Sequence, residues 1–187
     1  TVGAPMPGTG ALLNFGVQTT GGNYTVVATN PATGCSTSMS GSATITVNPL
    51  PATYTVTGGG SFCAGGSGVN VLLSNSQSGV LYTVKLAGVP SGSPMGGTGA
   101  ALDFGPRTAP GTYIVEATDV ITSCPSTMAG SAVISVNPVP TAYAVTGGGN
   151  YCTGGTGVHV GLSFSITGIN YQLIRNGSPV GTPVSGT

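Results

Sequence analysis

The stretch that decides the fold is Ser42-Ala43-Thr44-Ile45-Thr46-Val47-Asn48-Pro49-Leu50-Pro51. In an extended strand, Ala43, Ile45 and Val47 lie on one face and the intervening hydroxyl side chains lie on the other. A strand of this kind has one face in a core and one face in water. The two prolines then remove backbone donors and fix φ, so the strand ends here and a linker begins.

The same stretch recurs at residues 131–140, an offset of 89 residues. The offset holds along the whole chain without a gap, since Cys35 recurs as Cys124 and Cys63 recurs as Cys152. Self-similarity at this period predicts an array of small domains. Cuts at the two proline linkers give the C-terminal half of a domain at 1–49, a complete domain at 52–138 and the N-terminal half of the next domain at 141–187.

The pattern within each repeat predicts an all-β fold. Short alternating or β-branched runs are separated by Gly, Pro, Asn and Ser clusters, and no run has helical periodicity. We predict seven strands in the complete unit, at 53–57, 68–74, 80–87, 91–96, 100–104, 111–118 and 130–136. The spacing favours tandem immunoglobulin-like antiparallel β-sandwiches. Asn176-Gly177 is a strong signal for a hairpin turn, whereas we interpret the Gly clusters at 58–60 and 65–68 as tight turns and bulges.

Charge is nearly absent, with three basic and three acidic residues among 187. A chain so poor in general acids, bases and hard-metal ligands is predicted to have no catalytic site, no metal site and no cofactor. Nucleic acid is excluded as a partner, because binding it requires Lys and Arg to neutralise phosphates. No apolar run has the roughly 20 residues of a membrane span. Low charge and positive mean hydropathy favour self-association.

The cysteines occur once as a pair in each repeat, without the spacing of a metal site, which indicates disulfides and an oxidising compartment. Of the three connectivities, loop closure and domain anatomy favour Cys63 with Cys124 inside the complete unit. Cys35 and Cys152 then require partners outside the sequence or in a neighbouring subunit. The alternatives are Cys35–Cys63 with Cys124–Cys152 across the linkers, and Cys35–Cys124. In an antiparallel sandwich, the loop before the second strand and the loop after the sixth strand lie at opposite ends. The favoured pair therefore requires that Cys63 lie well along the first strand.

Three segments carry a resemblance to a known group of proteins: Gly111–Thr118 running on to Cys124, Ser131–Pro140, and Tyr151–Gly155 followed by Val158–Val160. They resemble tandem immunoglobulin-like repeats in giant secreted surface proteins and adhesins of Bacteroidota. The resemblance covers essentially the whole chain, and it implies an extracellular or cell-surface location.

We therefore expect a non-enzymatic structural array that forms a surface fibre or adhesin stalk. One alternative is a spacer region of a secreted enzyme or carbohydrate-binding protein, and another is an ice- or surface-binding array. The partners expected are neighbouring repeats or identical subunits packed head to tail, with an unidentified surface or glycan ligand also open.

Both ends of the sequence fall at the same point of the repeat, because 1–8 matches 90–97 and 179–186. Neither half-unit buries its apolar face alone. Two arrangements would supply the missing strands: a longer continuous array, which we favour, or a second subunit whose tail completes the head of the next.

Overall fold

The computed structural model describes residues 3–187, and that range is all-β with no helix. The first two residues of the predicted 1–49 unit lie outside the described range. Strands pair within three segments, which we call the head (3–49), the central segment (52–138) and the tail (141–187). Among the described residues, no strand of one segment pairs with a strand of another.

The head contains two short antiparallel pairs. Strand β1 (Gly22–Tyr24) pairs with β4 (Ala43–Ile45), and β2 (Val27–Thr29) pairs with β3 (Ser36–Ser38). Within the stretch 42–51, residues 43–45 thus form an extended strand, which ends before the two prolines.

The central segment contains ten strands: β5 (Val56–Gly58), β6 (Gly60–Cys63), β7 (Val69–Leu73), β8 (Val80–Leu86), β9 (Val89–Pro90), β10 (Met95–Gly96), β11 (Leu102–Arg107), β12 (Gly111–Asp119), β13 (Pro125–Thr127) and β14 (Ala132–Asn137). One sheet has the order β11-β7-β5, and the other has the order β10-β8-β12-β14-β6, with β9 beside β8 and β13 beside β12. The buried side chains of the two sheets form a single hydrophobic core, as expected for a β-sandwich.

Alternation along the strands produces this core. In β12, Tyr113, Val115 and Ala117 are buried while their neighbours are partly exposed, and in β14 Ala132 and Ile134 are buried in the same way. The period of two read from residues 42–47 is thus confirmed in the corresponding strand of the central segment.

Three consecutive glycines let the first strand change sheets. Gly58, Gly59 and Gly60 have φ of 91°, 77° and 130°, in the region that disfavours other residues. A Cβ on Gly58 would lie 2.2 Å from the carbonyl oxygen of Asn70 in one sheet. A Cβ on Gly59 would lie 2.5 Å from the carbonyl oxygen of Val133, beside the other sheet. The glycines therefore form a crossing between the sheets, a role that the sequence alone did not reveal.

The two ends of the central segment are defined by its first and last strands. Thr55 bridges Ala129 in parallel at the end where the chain arrives, which we call the leading end. Cys63 pairs with Asn137 in the parallel pair of β6 and β14 at the end where the chain leaves, which we call the trailing end. Against β12, Met128 lies opposite Val115 and Ile134 opposite Gly111, so at ~3.3 Å per residue Ala129 and Asn137 are about 20 Å apart. The head and the tail are therefore attached at opposite ends of the sandwich.

The tail contains β15 (Val145–Gly147), β16 (Val160–Leu162), β17 (Asn170–Arg175) and β18 (Ser178–Ser185), which form two antiparallel pairs. The turn between β17 and β18 confirms the predicted hairpin, since Asn176 and Gly177 have φ of 50° and 82°. Positive φ at both positions is the signature of a type I′ turn.

The central strands match the prediction in part. The predicted strand 53–57 begins later than expected and is followed by β6, which was not predicted, and β13 was also missed. Within the predicted strand 91–96 only the short β10 forms, and the short β9 precedes that range; both pair with β8. These differences arise where long-range pairing, rather than local alternation, decides whether a strand forms.

Candidate functional site: two open apolar faces

The head carries an apolar face that no part of the described chain covers. It surrounds an open cavity of about 270 Å³, and we define this head face by Phe15, Tyr24, Val26, Met39 and Ala43. The side chains of Phe15, Val26 and Met39 are 49%, 38% and 43% exposed. Exposed apolar patches on a soluble protein usually mark an interaction surface.

The corresponding residues of the central segment show what this face is in a complete unit. They are Phe104, Tyr113, Val115, Met128 and Ala132, and every one of them is buried in the core. Val115 is 0% exposed, whereas its counterpart Val26 is 38% exposed. The head face therefore consists of residues whose counterparts in the central segment form part of its core.

The tail exposes residues whose counterparts lie on other strands of the central core. We define the tail face by Val145, Val160, Leu162, Tyr171 and Leu173, whose counterparts in the central segment are Val56, Val71, Leu73, Tyr82 and Val84. All five counterparts are buried, but Val145, Val160 and Leu173 are 72%, 52% and 48% exposed in the tail. The two open faces of the chain are thus complementary by sequence position.

The contacts that seal such a face are visible at the leading end of the central segment. The backbone N–H of Ala129 donates to the carbonyl of Tyr54 at 2.9 Å, and the N–H of Val56 donates to the carbonyl of Ala129 at 2.8 Å. The N–H of Tyr54 also lies 3.4 Å from the sulfur of Met128. Residues 54–56 therefore run along the edge beside Ala129 and cover the Met128 side chain.

The cysteines lie at the ends of the units and none is bonded in the described structure. Cys63 is exposed at the trailing end of the central segment, opposite Asn137. Cys124 is partly exposed at the leading end, where its carbonyl accepts a hydrogen bond from the N–H of Asp119. Cys35 repeats the local contacts of Cys124, with its thiol directed at the carbonyl of Thr33.

The predicted Cys63–Cys124 bond needs correction. Cys63 is level with Asn137, beyond the point where Ile134 faces Gly111, whereas Cys124 is level with Asp119 at the other end of β12. At ~3.3 Å per residue this register separates them by about 35 Å, and a disulfide requires Cα atoms within about 7 Å. The two cysteines thus lie at opposite ends of the sandwich, as the order of antiparallel strands predicts for loops before the second and after the sixth strand.

Charged side chains do not assemble into a site. The ammonium of Lys85 lies 2.7 Å from the Glu116 carboxylate on the outer surface of the sheet, and the same positions are Ile174 and Val27 in the other repeats. Hydrogen bonds from the backbone N–H groups of Thr122 and Ile121 lower the pKa of Asp119. At the corresponding position of the head, the uncharged side chain of Asn30 accepts the equivalent hydrogen bond, from the N–H of Ala32. Residues 3–187 contain no cluster of potential metal ligands.

The sequence alone did not identify the cavity of the head face or the residues that line it. The 89-residue offset was the available signal, since it relates each exposed side chain to a buried counterpart. Comparison with protein-family models and with curated proteins gives no match for this chain. Within the described residues there is no helix with the length and apolar character to cross a membrane.

Proposed function

We propose that this chain is a non-enzymatic structural protein, an array of immunoglobulin-like units in an extracellular fibre or adhesin stalk. The observation that carries the proposal is the recurrence of strand pairing at the repeat offset. Gly22 pairs with Ile45 as Gly111 pairs with Ile134. In the tail, β15 and β16 repeat the pairing of β5 and β7. Each of these two pairings therefore occurs twice, one repeat apart, as is expected of units in series.

The immunoglobulin-like assignment is supported by strand order. The first strand divides between the sheets, β5 beside β7 and β6 beside the last strand β14, and the two sheets share one core. The Tyr113 hydroxyl donates to the carbonyl of Ala109 at 2.9 Å, and Tyr24 makes the equivalent bond to Thr20 at 2.7 Å. This contact at the start of β12 has the form of a tyrosine corner.

A scaffold role also follows from the chemistry of the surface. The polar side chains are mainly hydroxyls and amides, and the charged residues differ from repeat to repeat. A residue required for chemistry in every unit would recur at the offset, as the cysteines, tyrosines and glycines do. What recurs is the set of residues that builds and joins sandwiches.

We further propose that the cysteines join consecutive units. Cys63 lies at the trailing end of its unit, and the position of Cys124 lies at the leading end of the following one. The turn that carries Cys124 is held to Asp119 at the end of β12, and Cys124 precedes the Tyr54–Ala129 contact by five residues. Such bonds between units would suit an oxidising compartment. They also account for four unbonded thiols, because each partner belongs to a different unit.

The cysteine proposal predicts that Cys63→Ser changes the free energy of unfolding of the purified chain by no more than about 0.5 kcal/mol, because the bond is not inside the unit. Urea denaturation measures this change. Peptide mapping of non-reduced native material should join Cys63 to the leading end of a neighbouring unit. A peptide joining Cys63 to Cys124 of the same chain, or a loss of about 2–5 kcal/mol, would contradict the proposal.

The location is tested on intact source cells with antibodies raised against the central segment. Labelling without permeabilisation, together with fibres in electron micrographs, is the expected result. An antibody against a cytoplasmic protein of the same cells controls for leakage. Labelling that appears only after permeabilisation would refute the extracellular assignment, whatever the state of assembly.

A further inference from the structure

The head and tail faces are the two halves of a core that the central segment shows assembled. In that segment, the strands equivalent to the tail cover the strands equivalent to the head, and all of the defining residues are buried. The head needs the side chains and edge strand that the tail presents. The central segment therefore shows how strands like those of the tail pack against strands like those of the head.

One copy does not make this contact with itself. The head is attached at the leading end of the central segment and the tail at the trailing end, and the linkers 48–51 and 137–140 are short. The head is therefore out of reach of the tail of its own copy, whereas the tail of a second copy carries the same residues. A contact between different surfaces of identical subunits does not close on itself when the two surfaces lie at opposite ends, and it grows into a filament.

Charge does not oppose this contact. Residues 1–49 contain no Asp, Glu, Lys, Arg or His, and the tail contains only His159 and Arg175. Burial of the two faces thus requires no desolvation of a charge from the head, which is the usual cost of covering a surface.

We propose that the head face is the docking surface for the tail of a second copy, so that two chains build one sandwich between them. The inference rests on the proposed array and specifies how its units join. By the register at Tyr54, Val56 and Ala129, Ser40 of one copy lies opposite Ala144 of the other. The Ser40 N–H donates to the Tyr143 carbonyl, and the Val145 N–H donates to the Ser40 carbonyl.

The first test uses two adjacent residues on opposite faces of one strand. Val26→Glu places a carboxylate in the shared core, whereas Val27→Glu places it where the central segment carries Glu116. In sedimentation of the purified 187-residue protein over a concentration series, wild type and Val27→Glu should form chains of copies. Val26→Glu should raise the concentration needed for assembly by about tenfold or more.

The second test fixes the register. In a chain whose four cysteines are replaced by serine, Ser40→Cys with Ala144→Cys should give a ladder of disulfide-linked copies on a non-reducing gel. Ser40→Cys with Thr146→Cys, displaced by two residues along the same edge, should not. The unfolding transition of the central segment is measured in each variant, to show that the sandwich remains folded.

Several outcomes would overturn the inference. A wild-type chain that stays monomeric at every concentration, assembly unaffected by Val26→Glu, or equal cross-linking in both registers would each do so. The inference would also be overturned if purified 187-residue protein, added to native fibres, is not incorporated because a further repeat of the same polypeptide already covers the head face. Each of these results leaves the surface-labelling test of the array unchanged, so the two proposals fail separately.

Discussion

Replacement of Leu73 by alanine is expected to lower the free energy of unfolding of the central segment by about 2–5 kcal/mol. Leu73 is 0% exposed at the end of β7, with Val56 on one neighbouring strand and Leu102 on the other. Truncation removes buried methyl groups and leaves a cavity between two sheets that do not close over it. Urea denaturation followed by tyrosine fluorescence measures the loss, since the chain has no tryptophan.

The repeat provides a matched control for this variant. Leu162 is the same residue one repeat later, but its side chain is 38% exposed. In dilute protein, Leu162→Ala should therefore change stability far less than Leu73→Ala. Equal losses would show that the tail already has a covered core, contrary to the structure. In assembled protein, the effect of Leu162→Ala should approach that of Leu73→Ala.

Replacement of Gly58 by alanine is expected to destabilise the central segment by about 2–5 kcal/mol. Part of this loss is the strain of a side chain at φ 91°, which is about 1–2 kcal/mol. The rest is overpacking, about 1–3 kcal/mol, because the new Cβ would lie 2.2 Å from the Asn70 carbonyl oxygen. The same denaturation measurement applies.

Gly65 separates the two contributions. Its φ is 83°, but nothing lies within 4 Å of the position of a Cβ. Gly65→Ala should therefore cost only the strain, about 1–2 kcal/mol. If the two variants lose the same stability, the close approach of the sheets at Gly58 has no energetic importance and the proposed crossing is not tight.

Local chemistry explains what could be predicted. The turn at Asn176-Gly177 depends on the backbone freedom of those two residues, and the burial of Ala132 and Ile134 depends on alternation along one strand. Both are encoded within a few residues, so the sequence alone is sufficient. The offset that relates Val26 to Val115 is likewise a property of the sequence.

Long-range pairing explains the failures. The local sequence at 58–60 predicts tight turns and bulges, because it does not show that Asn70 and Val133 lie on either side of these glycines. Loop closure and domain anatomy favour a bond between Cys63 and Cys124, but the parallel pairing of β6 with β14 places them at opposite ends of the sandwich. Such errors are expected wherever the partner strand, and not the residue itself, fixes the position of a side chain.

By itself, the sequence determined the repeat, the all-β class and the apolar face of the strands, because period and turn chemistry are local. Only the tertiary structure decided which ends the cysteines occupy and which apolar faces are covered. Val26 and Val115 are the same residue in the same pattern, yet one is 38% exposed and the other 0%. The physical reason is that burial belongs to a pair of surfaces, and a strand specifies only one of them.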